Sequence, residues 1–266
     1  MSNLQLDSVC RQVIDLTHEV GNFIMTEQQK FSYSDIVKKG RNDLVTYVDK
    51  NAEKAIIEGL TKVLPGSGIL AEESGATEKK EYTWIIDPLD GTTNFIHKIP
   101  CFAISIALTK NNVPVLGVVN ELNLKQCFYA VKGEGAQMNG KPIQVSEEQK
   151  LENSLIATGF PYNDFKWHTE YMGLFKHFMT CTQGLRRIGS ASVDLCYTAC
   201  GRFEAFYEYG LNPWDVAAGA IILQEAGGQL TEFNGGHNYI SGKSIVASNG
   251  YIHKELIEAV RKFFKS

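Results

Sequence analysis

The sequence predicts a layered fold of mixed α+β and α/β type, and three observations carry that expectation. Two amphipathic helical stretches come first, a run of closely spaced apolar strands follows, and strands then alternate with helices to the end of the chain. From Leu4 to about Gln28 the apolar residues Leu6, Val9, Val13, Leu16, Val20 and Ile24 recur every three or four positions, which is the spacing of one helix face. A basic, glycine-broken loop, Val37 to Asn42, leads to a second helix from about Thr46 to Leu64, stopped by Pro65-Gly66. Strand-like runs follow at Gly68 to Ala71, Thr83 to Ile86, Phe102 to Thr109, Val113 to Asn120 and Gln126 to Val131. Their closeness in sequence favours antiparallel hairpins, and the glycine-rich passage from Gly133 to Pro142 reads as turns.

The polar run Ser146 to Lys150 reads as a linker, which divides the chain into an α+β part, 1–148, and an α/β part, 149–266. In the second part strands are expected at Ser154 to Thr158, near Arg186 to Ile188, at Phe203 to Tyr207, and around Gln229 and Ile245. Helices are expected from about Asp164 to Thr180, Ser192 to Cys200, Trp214 to Ala226 and Tyr251 to Phe264.

Composition excludes several functional classes. At 266 residues, with 44% hydrophobic and 21% charged content, the chain can bury a sizeable core and is not of a disordered type. A net charge of −4 argues against an electrostatic nucleic-acid binder. Six cysteines show no CxxC pair and no zinc-like spacing with histidine, so they read as reduced core residues. No stretch approaches the roughly 20 apolar residues of a membrane span, and no signal peptide is visible, so a cytoplasmic location is expected.

The chemistry is concentrated in Asp87-Pro88-Leu89-Asp90-Gly91-Thr92. Two carboxylates leave the apolar strand Trp84-Ile85-Ile86, the position at which α/β-type proteins tend to bind ligands. Proline biases Asp87 toward extended geometry, and Gly91-Thr92-Thr93 can open a helix whose free N–H groups accept an anion. A bland reading stands beside this one, because an Asp before Gly-Thr-Thr commonly serves only to cap a helix. Glu72 after the strand Gly68 to Ala71, Asp215 after Trp214, and Asp49 at the second helix are each weak alone. Together they place carboxylates where strands end and helices begin. Two of them ~4 Å apart repel by roughly 4 kcal/mol at an effective dielectric of 20, so such a cluster calls for protons or cations. All-oxygen ligands point to Mg²⁺ or Mn²⁺ and not to zinc, and magnesium points to phosphate chemistry.

Asp87 through Phe95 closely resembles the first signature of the inositol monophosphatase family, and Trp214 through Ala220 resembles its second. Asp43 to Thr46 with Asp49, Ala71 to Gly75, Gly159-Phe160-Pro161 and Arg187 to Ala191 extend the resemblance over nearly the whole chain. The resemblance implies an alternating αβαβα sandwich and a phosphate monoester hydrolase acting by in-line attack of metal-activated water. It implies that Glu72, Asp87 and the Leu89 carbonyl hold one metal, and that Asp87, Asp90 and Asp215 hold a second. A third, loosely held metal would lean on Glu72, so two or three Mg²⁺ are expected per site. Asp49 and Thr92 would pair and, with Glu72, orient and deprotonate the water. Backbone amides of Gly91 and Thr92 would bind phosphate, with Asp90 and Asp215 at the same substrate. Glu208, Gly189, Ser190 and Ala191 would line the pocket for its hydroxyl groups.

Lithium inhibition, through the second metal site, and a homodimer are also what the resemblance implies. Ala71 departs from the glycine of many relatives, and the setting of Lys38 and Lys39 bears on the third metal. The expected substrate is a small phosphorylated polyol, with no nucleic-acid or membrane partner. Phe95 and Glu208 look more like the inositol-phosphate group than like relatives acting on histidinol phosphate, 3′-phosphoadenosine 5′-phosphate or fructose 1,6-bisphosphate. Arg186-Arg187 could supply the extra cations a bisphosphate needs, but the pair reads more readily as a solvated strand end with helix-facing salt bridges. A non-catalytic or moonlighting interaction role is the alternative of another class; as the sole function it predicts a missing metal carboxylate, and none is missing.

Overall fold

A computed structural model of the protein describes residues 5–31, 36–38, 44–78, 80–161 and 165–264, with backbone only at 36–38 and 44–45. Most of the basic loop, including Lys39, lies outside the described residues, as do Leu4, Asp43 and Asp164 and the Lys38 side chain.

In chain order the described elements begin with α1 (Leu6–Lys30), β1 (Ile36–Lys38), β2 (Leu44–Thr46), α2 (Tyr47–Val63), β3 (Gly68–Ala71), β4 (Gly75–Ala76), β5 (Tyr82–Asp90) and α3 (Thr92–Ile96). The meander β6 (Ala103–Lys110), β7 (Val113–Glu121), β8 (Gln126–Val131), β9 (Ala136–Met138) and β10 (Lys141–Ile143) follows. The chain then crosses to a second sheet through β11 (Leu155–Thr158), α4 (His168–Cys181), β12 (Gly184–Arg186), α5 (Ala191–Ala199), β13 (Ala205–Tyr209), α6 (Pro213–Glu225), β14 (Gln229–Thr231), β15 (Ser244–Ser248) and α7 (His253–Phe263).

An eight-stranded sheet runs β10-β9-β8-β7-β6-β5-β3-β4, and a five-stranded sheet runs β12-β11-β13-β15-β14. The strand period of two sorts their side chains into layers. On β6, Ile104, Ile106 and Leu108 join the core under α1 and α2, while Ala103 and Ala107 face α5 and α6. On β13, Phe206 faces α5 and α6, while Ala205, Tyr207 and Tyr209 join the core under α4 and α7. The layering is therefore α1/α2, large sheet, α5/α6, small sheet, α4/α7, the five-layer αβαβα sandwich that the resemblance implied. Among the described residues no helix is long and apolar enough to cross a membrane.

Two expectations change. β3 and β5 run parallel, with Ala71 opposite Ile86, whereas nearness in sequence favoured a hairpin; β3 makes its hairpin with β4 on one edge, and the chain then crosses to place β5 on the other. The turn-rich passage after Gly133 also contains the short hairpin β9-β10, which extends the sheet edge.

His253 opens α7, buried between Ser248 Oγ, 2.8 Å from Nδ1, and Thr231 Oγ1, 3.0 Å from Nε2. Burial pushes its pKa down to about 4. The neutral ring is thus the folded form, and its contribution, complete above the unfolded value of about 6.5, is lost as pH falls from there to about 4. At 1.36 kcal/mol per unit the loss is about 3 kcal/mol at most. His253→Gln is expected to flatten the fall of melting temperature over this window; an unaltered slope in the variant would remove His253 from the account.

Candidate active site

The parallel pairing of β3 and β5 sets two acids side by side. Because Ala71, the last residue of β3, is the partner of Ile86, the residue that follows it stands level with Asp87 on β5, and the Glu72 N–H donates to the Ile86 carbonyl at 3.2 Å. Glu72, just past the end of β3, and Asp87, within β5, are therefore neighbours across the two strands. Pro88, which has no N–H, falls where the β5–β6 register shifts between Asp87 and Asp90. The Leu89 N–H turns back to Asp87 Oδ1 at 3.0 Å, and Asp90 rejoins the ladder opposite Ala103. Both aspartates thus sit in an irregular stretch of the strand, where the sequence placed them just beyond it. Gly91 has φ 93°, and a Cβ there would stand 3.1 Å from the Cys101 carbonyl and 3.2 Å from that of Gly189. Glycine lets the chain reverse into α3 between those two carbonyls.

Asp49 is the third residue of α2 and carries two duties. Its Oδ2 accepts from the Thr46 N–H at 2.9 Å and from the Thr46 hydroxyl, completing a capping box. Its Oδ1 lies 2.9 Å from Thr92 Oγ1, which is also 3.0 Å from the Leu89 carbonyl. The cap and the site interaction belong to one carboxylate.

Asp90 is bound to the start of α5. Its Oδ2 accepts from Ser190 Oγ at 2.7 Å, from the Ser192 N–H at 2.8 Å and from the Ser192 hydroxyl. Asn94 reinforces this union, its Nδ2 donating to the carbonyls of Cys101 at 2.7 Å and Ile188 at 2.9 Å. Ser190, expected to face substrate hydroxyls, thus directs its own hydroxyl to Asp90, while Gly189, Ser190 and Ala191 all line the cavity.

Asp215 is the third residue of α6, and its Oδ2 accepts from the Asn212 N–H at 2.6 Å. Glu208 occupies β13 on the same face as Phe206, directed toward the α5/α6 layer by strand alternation. A Cβ at Gly159 would collide with the Glu208 carboxyl, so glycine leaves that carboxyl its place.

A cavity of about 980 Å³ joins these elements, lined among others by Glu72, Asp87, Leu89, Asp90, Gly91, Thr92, Glu208 and Asp215. The first-turn N–H groups of α3, which have no partner within the helix, are at its wall. Asp49 lies behind the wall and, among the described residues, reaches the cavity through Thr92.

Burial first, and then the charges of Glu72, Asp90 and Asp215, push the Asp87 pKa well up, and a hydrogen bond with Glu72 adds to the rise. Burial also raises Asp90, against the Ser190 and Ser192 donors that stabilise its anion. Asp215 is pushed up to about 7 by burial and then by Asp90. Burial raises Asp49 as well, against its Thr46 and Thr92 hydrogen bonds. The cluster therefore holds more acid than it can ionise without positive charge, the condition that a hard cation relieves. Its donors are carboxylates and one carbonyl, a set suited to Mg²⁺ or Mn²⁺. Among the described residues no three of these side chains stand together as a complete ligand group.

Sequence reasoning missed Ser192 as an anchor of Asp90 and Asn212 as the partner of Asp215. It also missed Asp194, which lines the cavity from α5. The sequence signals were slight: a serine two residues after Ser190, an Asn-Pro helix start, and an acid in a helix with no other charge.

A family model described as the inositol monophosphatase family matches residues 5–264. The protein named Nus factor SuhB of Escherichia coli strain K12 is 41% identical over 246 residues, covering 91% of this chain and 92% of that one. An inositol-1-monophosphatase of Caulobacter vibrioides is 42% identical over 231 residues, covering 85% and 90%. The solved inositol monophosphatase of Anabaena superposes with a TM-score of 0.87 at 36% identity, covering 97% of each chain.

Proposed function

Since the chain belongs to the inositol monophosphatase family and a phosphatase is what its relatives support, we propose that it hydrolyses inositol monophosphate or a closely similar polyol phosphate with Mg²⁺. The observation that carries the polyol reading is Glu208, a buried carboxyl facing the acid cluster across one cavity. Burial, and then the charge of Asp215, push its pKa well up, with Arg187 opposing, so it can both donate to and accept from a hydroxyl.

Magnesium, held by Glu72, Asp87, the Leu89 carbonyl, Asp90 and Asp215, would neutralise phosphate charge and activate water. The Thr92 hydroxyl, donating to Asp49 Oδ1, keeps its lone pairs for the attacking water. Glu72, which lines the cavity, would accept that water's proton. The first-turn amides of α3 receive the phosphate oxygens, as helix N-termini do. Inhibition by lithium and a homodimer are further parts of this reading and rest on the family alone.

The test is phosphate release from inositol 1-phosphate, histidinol phosphate, 3′-phosphoadenosine 5′-phosphate and fructose 1,6-bisphosphate, with Mg²⁺ and with added Li⁺. The highest kcat/KM is expected for inositol 1-phosphate, and a preference for either bisphosphate would overturn the substrate class. Glu208→Gln is expected to lower the ratio of kcat/KM for inositol 1-phosphate to that for an aryl phosphate by about three- to tenfold, the worth of one hydrogen bond to a neutral carboxyl. Equal losses on both substrates would take Glu208 out of hydroxyl recognition.

A second reading comes from the E. coli relative, whose name is that of a Nus factor. A role of that kind would survive Asp90→Asn, whereas the phosphatase reading requires Asp90.

A further inference from the structure

Asp194 lies four residues after Ser190 on α5, and its side chain lines the same cavity as Glu208. It is only 1% exposed, and among the described residues its Oδ1 has no hydrogen-bond partner. Its backbone is already satisfied, the N–H donating to the Ser190 carbonyl at 3.0 Å and the carbonyl accepting from Thr198 Oγ1 at 2.9 Å. The helix needs nothing from this side chain. Its neighbours Val193 and Leu195 are wholly buried and apolar, so packing alone would favour an apolar residue or a neutral amide at 194. A buried polar atom without a partner calls for an explanation, and position at a binding cavity supplies one.

The charged groups acting on Asp194 are Glu208 and Asp90, which disfavour its anion, and Arg187, which favours it. Burial outweighs them all and pushes its pKa well up. A neutral carboxyl donates from one oxygen and accepts at the other, which is the complement of an alcohol group. Asp194 forms no hydrogen bond within the described site to the expected metal ligands Asp87, Asp90 or Asp215. It lies on α5, in the layer that Glu208 faces.

We propose that Asp194 is a specificity-determining residue of this cavity, a second carboxyl beside Glu208 that hydrogen-bonds a hydroxyl group of the alcohol portion of a polyol phosphate. The proposal rests on the phosphatase reading above and adds a residue to its substrate recognition. An acid retained for recognition destabilises the free protein, whereas an acid retained for structure stabilises it.

The experiment compares wild type, Asp194→Asn and Asp194→Leu in kcat and KM for inositol 1-phosphate and p-nitrophenyl phosphate, together with melting temperature. For Asp194→Leu the ratio of kcat/KM, inositol 1-phosphate over p-nitrophenyl phosphate, is expected to fall at least about tenfold, mainly through KM. Asp194→Asn, which keeps a donor and an acceptor, is expected to lie between it and wild type, and its melting temperature is not expected to fall. An unchanged ratio in both variants overturns the proposal, as does a lowered melting temperature of Asp194→Asn with equal losses on the two substrates. Should Asp194→Leu fail to fold, Asp194→Asn alone decides by the same criteria. Wild type that cleaves only the aryl phosphate overturns the polyol reading and this proposal with it. Wild type inactive on both substrates overturns the phosphatase reading itself.

Discussion

Asp90→Asn is expected to lower phosphate release by roughly a hundredfold or more while leaving the fold intact, because it removes one negative charge from a site that must hold cations. The fold should survive for a specific reason. Asp90 Oδ2 accepts from Ser190 Oγ, the Ser192 N–H and the Ser192 hydroxyl, and an asparagine carbonyl can occupy the same place. The amide also needs no charge in a position where burial already raises the acid's pKa. Circular dichroism and melting temperature should match wild type. Retention of more than about a tenth of wild-type activity at saturating Mg²⁺ would sink the assignment of Asp90 to the metal.

Thr92→Ala is the second large effect, an expected loss of about a hundredfold in kcat with KM changed only a few fold, within the usual range for a group that serves proton transfer. Thr92 Oγ1 lies between Asp49 Oδ1 and the Leu89 carbonyl, so alanine removes the link through which a buried acid reaches the cavity. Asp49 keeps its contacts with the Thr46 N–H and hydroxyl, so α2 retains its cap. Steady-state kinetics decide the matter: a rise in KM at constant kcat would make Thr92 a binding group and not a partner of the water. Thr92→Ser, which keeps the hydroxyl, should restore most of the rate.

Much of the fold was legible because its signals are periodic. The three- and four-residue spacing of α1 and the alternation of β6 are consequences of helix and strand geometry that any sequence must obey when one face is buried. Helix and strand ends were read to within a few residues, and the differences fall where a cap decides. The expected helix opening at Trp214 begins at Pro213, because Asn212 caps it and proline is suited to the first turn. The strand expected at Phe203 begins at Ala205 and continues through Tyr209, which places Glu208 within the ladder opposite Ile245.

In two places the bland reading and the functional one describe the same carboxylate. Asp49 and Asp215 each complete a capping box, and each also serves the cavity, Asp215 directly and Asp49 through Thr92. A sequence cannot separate these duties, since an acid at the third helical position is what both require. The capping bond fixes the carboxylate's orientation, and the orientation makes its other oxygen usable.

By itself the sequence determined the layered class, the acids at strand ends and helix starts, and the family resemblance, since these depend on local spacing and residue type. Only the tertiary structure decided which acids meet. The parallel registration of β3 with β5, Ala71 opposite Ile86, brings Glu72 beside Asp87, a pairing between residues 15 apart that no local pattern encodes. The burial of α5 and α6 between two sheets brings Ser190, Ser192, Asp194 and Asp215 to the end of β5. Alternation around Phe206 turns Glu208 toward them. Hydrophobic periodicity states that a face is buried and is silent about what covers it, so the partners of Asp90 and the orphaned oxygen of Asp194 became visible only once the layers were packed.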